Sequence, residues 1–336
     1  MTRTKGFEPG KIPQKVLTHS VYPYLGQKSR RILAGPGVAR DAAIVEFDKR
    51  ILVFSTDPIT GATNHIGKHA IHINANDVAV AGARPSFFLL TILLPPGSQE
   101  TKLRSIMKEV DEEARRLGVS VVRGHTEATP DLIRPIIAGF MIGESEGRRF
   151  LSADGGEEDD SIILTKTAGI EGTAVLASDH SRLLERKRID QITIRRAQGL
   201  MDSISVVPEA RIASRIDGVN AMHDPTEGGV LNGIWELAEA SDSGVMINAN
   251  LIPIAQETRL ICERLSLDPL RLLSSGSLLI ACRPSKTSLV LKSISRHGTL
   301  ATEIGRLTSP KEGRRIQRDN RELRLLPVNQ DELYRV

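Results

Sequence analysis

The sequence predicts an α/β (α+β) chain built as two domains, and three observations carry that prediction. At 336 residues and 36.7 kDa the chain is too long for one ordinary hydrophobic core. Helical periodicity and β-rich runs alternate in both halves. Between Gly143 and Asp160 the apolar content collapses into Glu-Ser-Glu-Gly-Arg-Arg and Asp-Gly-Gly-Glu-Glu-Asp-Asp, which marks the boundary. The expected domains are 1–155 and 156–336.

The first 30 residues read as loop and short helix, punctuated by Pro9, Pro13 and Pro23. Residues 41–47 and 51–56 are β-rich runs around Asp48-Lys49-Arg50, a hairpin. From 64 to 81 the pattern is helical. Another helix follows Thr101, which suits an N-cap, with Leu103, Ile106, Met107, Val110, Ala114 and Leu117 recurring at helical spacing. Gly118 ends it, a strand follows at 119–122, and a long apolar strand over 133–142 closes the first half. The second half opens with a buried-looking strand at 161–165. Helices are expected near 171–187, 191–203, 225–241, 255–265 and 285–296, and strands near 244–247, 277–282 and 300–306. No short-period repeat, heptad or low-complexity tract is present.

Composition narrows the function. Hydrophobic residues make up 40% and charged ones 26%, a globular balance. The formal charge is only +4 and aromatics are 3%, too few stacking side chains for a nucleic-acid platform. The longest apolar stretch, 87–94, falls far short of a membrane span, and no apolar signal core follows the N-terminus. Cys262 and Cys282 have no CxxC and no neighbouring histidines, so they read as core thiols in a reducing, cytoplasmic compartment.

The common nucleotide motifs fail. Gly61 to Lys68 has the look of a phosphate loop, but its glycines are mis-spaced and His69 stands where a magnesium-binding hydroxyl belongs. No GxGxxG follows a strand. What remains is a set of carboxylates at the ends of elements. Asp41 and Asp57 stand equally far either side of Lys49, so a hairpin centred there sets them face to face at its open end. Like charges so placed need a cation between them, and magnesium takes hard oxygens; the alternative is a turn residue and a cap on a helix begun at Pro58. Asn74, Asn76 and Asp77 lie in an apolar helical stretch, where they are costly to bury unless they bind something, or they form a solvated face. Glu127 in Gly124-His-Thr-Glu127 sits just past a strand end, with His125 beside it as a proton shuttle or a satisfied loop histidine. Asp224 in His223-Asp-Pro-Thr-Glu-Gly-Gly229 starts a helix, and capping and ligand binding are compatible there. The turn 165–173, with Lys166, Gly169 and Gly172, could lend backbone N–H groups to an anion, and Ser274-Ser-Gly-Ser277 is a second such turn. His65, His69 and His72 share a helical face at metal-ligand spacing, but with no HExxH they read as structural or surface residues.

Five runs carry a resemblance: Gly35-Pro-Gly37 with Asp41-Ala-Ala43, Ser55-Thr-Asp-Pro-Ile-Thr60, Asn74-Ala-Asn-Asp-Val-Ala-Val80 with Gly82-Ala-Arg-Pro85, Gly124-His-Thr-Glu127, and Asp224-Pro-Thr-Glu-Gly-Gly229. They stand in the order found in the AIR-synthase-related (PurM-like) ATP-binding superfamily, and the chain most resembles its HypE-like hydrogenase expression/formation branch. The resemblance implies a PurM-like two-domain fold, with N-terminal strands joining a partner's in a homodimer barrel and a C-terminal α/β domain packed alongside. ATP would lie between the halves. Asp41, Asp57, Asp77 and Glu127 would be metal or phosphate-side ligands, joined by Asp224 from the second half. Asn76, Lys166, Gly169 and Gly172 complete the expected ATP set, and His125 and Glu127 are the expected catalytic pair. ATP would activate a substrate oxygen by phosphoryl transfer, with magnesium neutralising charge.

The departures are specific. HypE proper ends in a cysteine that carries the group it modifies, whereas this chain ends Glu332-Leu-Tyr-Arg-Val336. Arg40 stands where the family commonly has an acid or a small residue. Selenophosphate synthetases need a reactive Cys and Lys in a Gly-rich N-terminal loop, and none is read here. Thiamine-monophosphate kinases share the acidic pattern, but Asp57-Pro-Ile-Thr60 fits the HypE-like branch better. A non-catalytic nucleotide-binding partner in a maturation complex is the reading from a different class, and zinc on the three histidines is a third.

Overall fold

The computed structural model describes Phe7, residues 10–145, Gly147 and residues 149–336. The first part of the chain runs α1 (Gln14–Ser20), β1 (Ile32–Ala34), β2 (Ala43–Phe47), β3 (Arg50–Ile59), α2 (Ile66–Val80), β4 (Ala83–Leu94), α3 (Glu100–Leu117), β5 (Ser120–Ala128) and β6 (Ile136–Ser145). Its six strands form one sheet in the order β1-β2-β3-β6-β4-β5. Only β4 and β5 are parallel, because α3 carries the chain back between them.

The second part runs β7 (Ser161–Thr165), α4 (Ile170–Asp179), α5 (Ser181–Arg186), α6 (Gln191–Gly199), α7 (Val207–Ser214), β8 (Val219–His223), α8 (Gly229–Ala240), β9 (Gly244–Asn248), α9 (Gln256–Leu265), β10 (Leu279–Cys282), α10 (Pro284–Ser295), β11 (Ala301–Thr308), β12 (Arg314–Arg318) and β13 (Arg321–Arg324). These seven strands form a second mixed sheet, ordered β13-β12-β9-β11-β7-β10-β8. The two-domain α/β expectation is therefore met. Among the described residues no helix is long and apolar enough to cross a membrane.

Helix α2 holds the architecture together. Every residue of it except Lys68 is buried, which marks a helix enclosed on all sides rather than a surface one. One side lies on β3, β4 and β6, and the other meets α3 and α7. Close approach to β6 depends on missing side chains. A Cβ on Gly139 would collide with Asn74, and one on Gly143 with Val78. A single apolar core then runs from β3 and α2 into α4 and α6, and the end of α2, Ala79 and Val80, packs with Ile163, Met222 and Ile280 of the second sheet.

Several expectations need correction. The hairpin turns on two residues, Asp48 and Lys49, with Phe47 opposite Arg50. Continuing that register sets Asp41 across from Thr56, one residue short of Asp57. Thr101 is not a cap; α3 starts at Glu100 after Gln99, with no side-chain cap bond. Gly118 does end it, in the left-handed conformation at φ 69°. The apolar stretch 87–94 is most of the twelve-residue β4; its burial alternates from Ser86 to Leu94, but Phe87, Leu89 and Leu93 make the less buried face apolar too and so give hydropathic periodicity little to detect. Strands β1, β8, β12 and β13 and helix α7 are also additions to the sequence reading.

Candidate functional site

A cleft of about 780 Å³ opens where the two sheets' loops meet the N-terminal and C-terminal segments. That is ample for a nucleotide-sized ligand. Asp41 enters from the loop before β2, Asp57 from β3, Asp77 from α2, and His223 from the end of β8. Asp224 follows His223, and carboxylate oxygens of Asp41 and Asp224 lie within 4.8 Å of each other and of a His223 ring nitrogen. Asp41, Asp57 and Asp77 thus form one acidic floor, with Asp224 buried beside Asp41 and off the lining itself, even though the hairpin register is not what unites them.

Each acid is positioned by a neighbour. The Asn74 carboxamide clasps the Asp57 peptide, accepting its N–H at 2.9 Å and donating to its carbonyl at 3.3 Å. The Ser55 hydroxyl donates to Asp77 at 2.5 Å. His223 is buried between two carboxylates, 2.8 Å from Asp41 and 3.0 Å from Glu236 on α8. Burial works to lower the His223 pKa, but Asp41 and Glu236 override it and push it up to about 10, so the ring is a fixed cation. Burial pushes the Asp77 carboxyl well above the usual carboxylate range, and the Asp57 and Asp224 charges push it further. Burial does the same to Asp224, with Asp41 adding repulsion.

Asp224 supplies the test of whether this set fits a cation. It is fully buried, and neither carboxylate oxygen has a hydrogen-bond partner in the protein. An orphaned buried carboxylate facing a second one is costly unless a positive ligand completes it. Four clustered carboxylates are a hard-oxygen donor set suited to magnesium.

The remaining predicted residues go elsewhere. Asn76 spends both ends bridging the two halves, donating to the Ile204 carbonyl at 2.9 Å and accepting from the Val206 N–H at 2.9 Å. Lys166 donates to the carbonyls of Ser205 and Gly276 and pairs with buried Glu209. The Gly169 N–H is taken by Ser274 at 2.7 Å and the Gly172 N–H by the Leu273 carbonyl at 2.8 Å. None of these four lines the cleft, so the anion cradle read into 165–173 is a closed turn. His125 and Glu127 also lie off the cleft lining. They pair with each other at 3.1 Å on β5, an edge strand whose nine residues are all exposed. The three histidines of the α2 face part company: His65 caps the helix near Glu109, His69 bonds Glu171 at 2.9 Å, and His72 bonds Glu113 at 3.1 Å.

Sequence reasoning missed three contributors. Lys11 reaches the cleft from the N-terminal segment. Glu236 is one α8 turn past the Asn232 that also lines the wall. The C-terminal segment 327–334 forms another wall, pinned by Asp331, which accepts N–H bonds from Gly228, Leu273 and Leu333. Burial raises the Asp331 pKa to about 6 against those bonds. Trp235, the chain's one tryptophan, lines the cleft with the Arg314 guanidinium over its ring. Arg40 lines it too, its guanidinium held by Asp154 at 2.6 Å.

Comparison with known proteins places this geometry. The N-terminal domain model of the AIR synthase related proteins matches residues 39–145, and the C-terminal domain model matches 157–317. A hydrogenase expression/formation protein of Methanocaldococcus jannaschii is 28% identical over 315 residues, covering 90% of each chain. Carbamoyl dehydratase HypE of Escherichia coli is 29% identical over 269 residues, covering 77% of each. The crystal structure of E. coli HypE superposes with a TM-score of 0.72 at 26% identity, covering 84% of this chain and 87% of that one. A hydrogenase maturation protein HypE in complex with ATP has the same fold, with a TM-score of 0.70 at 20% identity and 97% coverage of both chains.

Proposed function

The chain belongs to the AIR synthase related family, and from that premise we propose that it is an ATP- and magnesium-dependent enzyme of the HypE-like branch. ATP occupies the cleft, and phosphoryl transfer to an acceptor oxygen is the reaction class. The observation that carries this reading is the orphaned Asp224 carboxylate beside Asp41, with Asp57 and Asp77 completing the ring. Asp41, Asp57, Asp77 and Asp224 would hold magnesium, which neutralises phosphate charge and polarises the transferred group. His223 fixes Asp41 and Glu236 in place. Asn74 fixes the Asp57 backbone. The relatives' names motivate a role in hydrogenase or other metalloenzyme maturation.

The exposed β5 edge, with Val121, Val122 and nearby Phe87 also exposed, supports pairing with a second copy. His125 and Glu127 lie on that strand, so any part they take in the reaction requires the assembled homodimer. Sedimentation of a Val122→Lys variant tests this; an unchanged dimer would place the contact elsewhere.

Calorimetry of ATP binding with and without magnesium, in wild type and Asp77→Asn, tests the central proposal. Binding that needs magnesium and is lost in the variant is the expected result, with Trp235 fluorescence as a second readout. No binding to the wild type would refute it.

A further inference from the structure

Lys11 enters the cleft on a segment that the rest of the fold barely holds. None of residues 10–33 is buried, and α1 buries none of its own. Its far end is held where the Arg31 carbonyl accepts the Glu46 N–H and Ile32 pairs with β2; at its near end, among the described residues, what ties it down is the Lys11 backbone and side chain. The Lys11 N–H donates to Glu227 at 2.8 Å, and its ammonium donates to the Thr226 hydroxyl at 2.8 Å. The Tyr334 hydroxyl grips the other Glu227 oxygen at 3.0 Å. The N-terminal segment, the turn before α8 and the C-terminal turn therefore meet at one carboxylate. Crowding in the cleft would lower the Lys11 pKa, but Glu236, Asp41 and Asp57 outweigh it and raise it, so the group stays charged.

The acidic floor thus already faces a cation of the chain's own, carried on a loose tether and still reached by solvent. We propose that Lys11 is a tethered counterion of the cleft, which neutralises its acids before loading, is displaced by a divalent cation arriving alone, and is drawn back by nucleotide phosphates. This rests on the magnesium-and-ATP reading above. Electrostatics give the two ligands opposite signs. A bare divalent cation and the ammonium compete for the same carboxylates, so Lys11 weakens metal binding. The metal–ATP complex is net negative, so Lys11 strengthens its binding.

The test is calorimetric titration of Mn²⁺ alone, and separately of ATP with magnesium, into wild type, Lys11→Met and Lys11→Arg at low ionic strength. Methionine keeps an unbranched stem and removes the charge, on a segment whose loss does not open a core. Lys11→Met is expected to bind Mn²⁺ about three- to tenfold more tightly and Mg–ATP about three- to tenfold more weakly than wild type. Both differences should shrink in about 0.5 M salt, and Lys11→Arg should follow wild type. Trypsin should cut the wild-type segment faster with Mn²⁺ alone and slower with Mg–ATP. Unchanged or weaker Mn²⁺ binding by Lys11→Met overturns the counterion role. Failure of wild type to bind Mg–ATP instead sinks the nucleotide reading, and the Mn²⁺ titration still decides the role of Lys11.

Discussion

Two strand-to-helix turns of the C-terminal sheet look alike in sequence and differ in what they leave undone. The turn from β7 to α4 and the turn from β8 to α8 each place a glycine in the left-handed region at the helix N-cap, Gly169 at φ 72° and Gly228 at φ 83°. In the first, the ammonium of Lys166 and the N–H groups of Gly169 and Gly172 are all consumed within the fold. In the second, Asp224 is buried with both oxygens unpartnered. Glycine content and position did not separate them. The unsatisfied carboxylate did, because a buried carboxylate with neither oxygen bonded is costly unless a ligand supplies the partner.

Breaking the closed turn should give the largest effect. Lys166→Met strands the buried Glu209 carboxylate, and a loss of about 3–5 kcal/mol is expected in urea unfolding. ATP affinity of the folded variant should stay within about twofold of wild type, since the Lys166 ammonium is spent on the Ser205 and Gly276 carbonyls and on Glu209. Normal stability with lost ATP affinity would return ligand chemistry to that turn.

Asp224→Asn runs the opposite way. Magnesium-dependent ATP affinity should fall about 10- to 100-fold or more, while the metal-free protein at neutral pH keeps or gains stability, by up to about 1–3 kcal/mol, as a buried group that resists ionisation is replaced by a neutral one. A variant that loses stability and keeps affinity would make Asp224 a helix cap and nothing more.

The contrast also predicts a pH slope. Asp77 and Asp224 have folded pKa values raised above their unfolded value of about 3.9, so the folded metal-free protein holds more protons than the unfolded chain. The stability these two groups contribute is fullest in acid and declines as pH climbs from about 4 through the raised values. Asp331 adds to that decline between about 4 and about 6. Magnesium needs the ionised carboxylates, so its binding should release protons, measurable by calorimetry in buffers of different ionisation enthalpy. Magnesium should then raise the Tm more at neutral pH than in acid, as thermal melts at the two pH values would show. Absence of proton release would mean the cluster is ionised beforehand. The smallest effect belongs to the edge strand: His125→Ala should move the Tm of dilute protein by less than about 2 °C, because the ring is exposed.

The fold was legible where periodicity is strong, as in α3, and where turn chemistry is unmistakable, as at Gly118. It was illegible at β4, whose apolar residues on both faces hide the two-residue alternation, and at short β12 and β13. The acidic floor was legible because carboxylates in apolar runs are costly, so Asp77 and Asp224 announce themselves. Asn76 sent the same signal for a different reason, since a buried carboxamide can be satisfied by backbone as well as by ligand. Lys11 and Tyr334 gave no signal at all. They reach the cleft from opposite ends of the chain, and no spacing rule links positions so far apart.

The same Asn76 carboxamide has a mechanical consequence. It rivets α2 to the 204–206 stretch through backbone on both sides, across a continuous apolar core. Swinging the two sheets apart as jaws would break both bonds and open that core. Entry past the terminal segments costs neither, so small-angle scattering should register the same radius of gyration before and after loading.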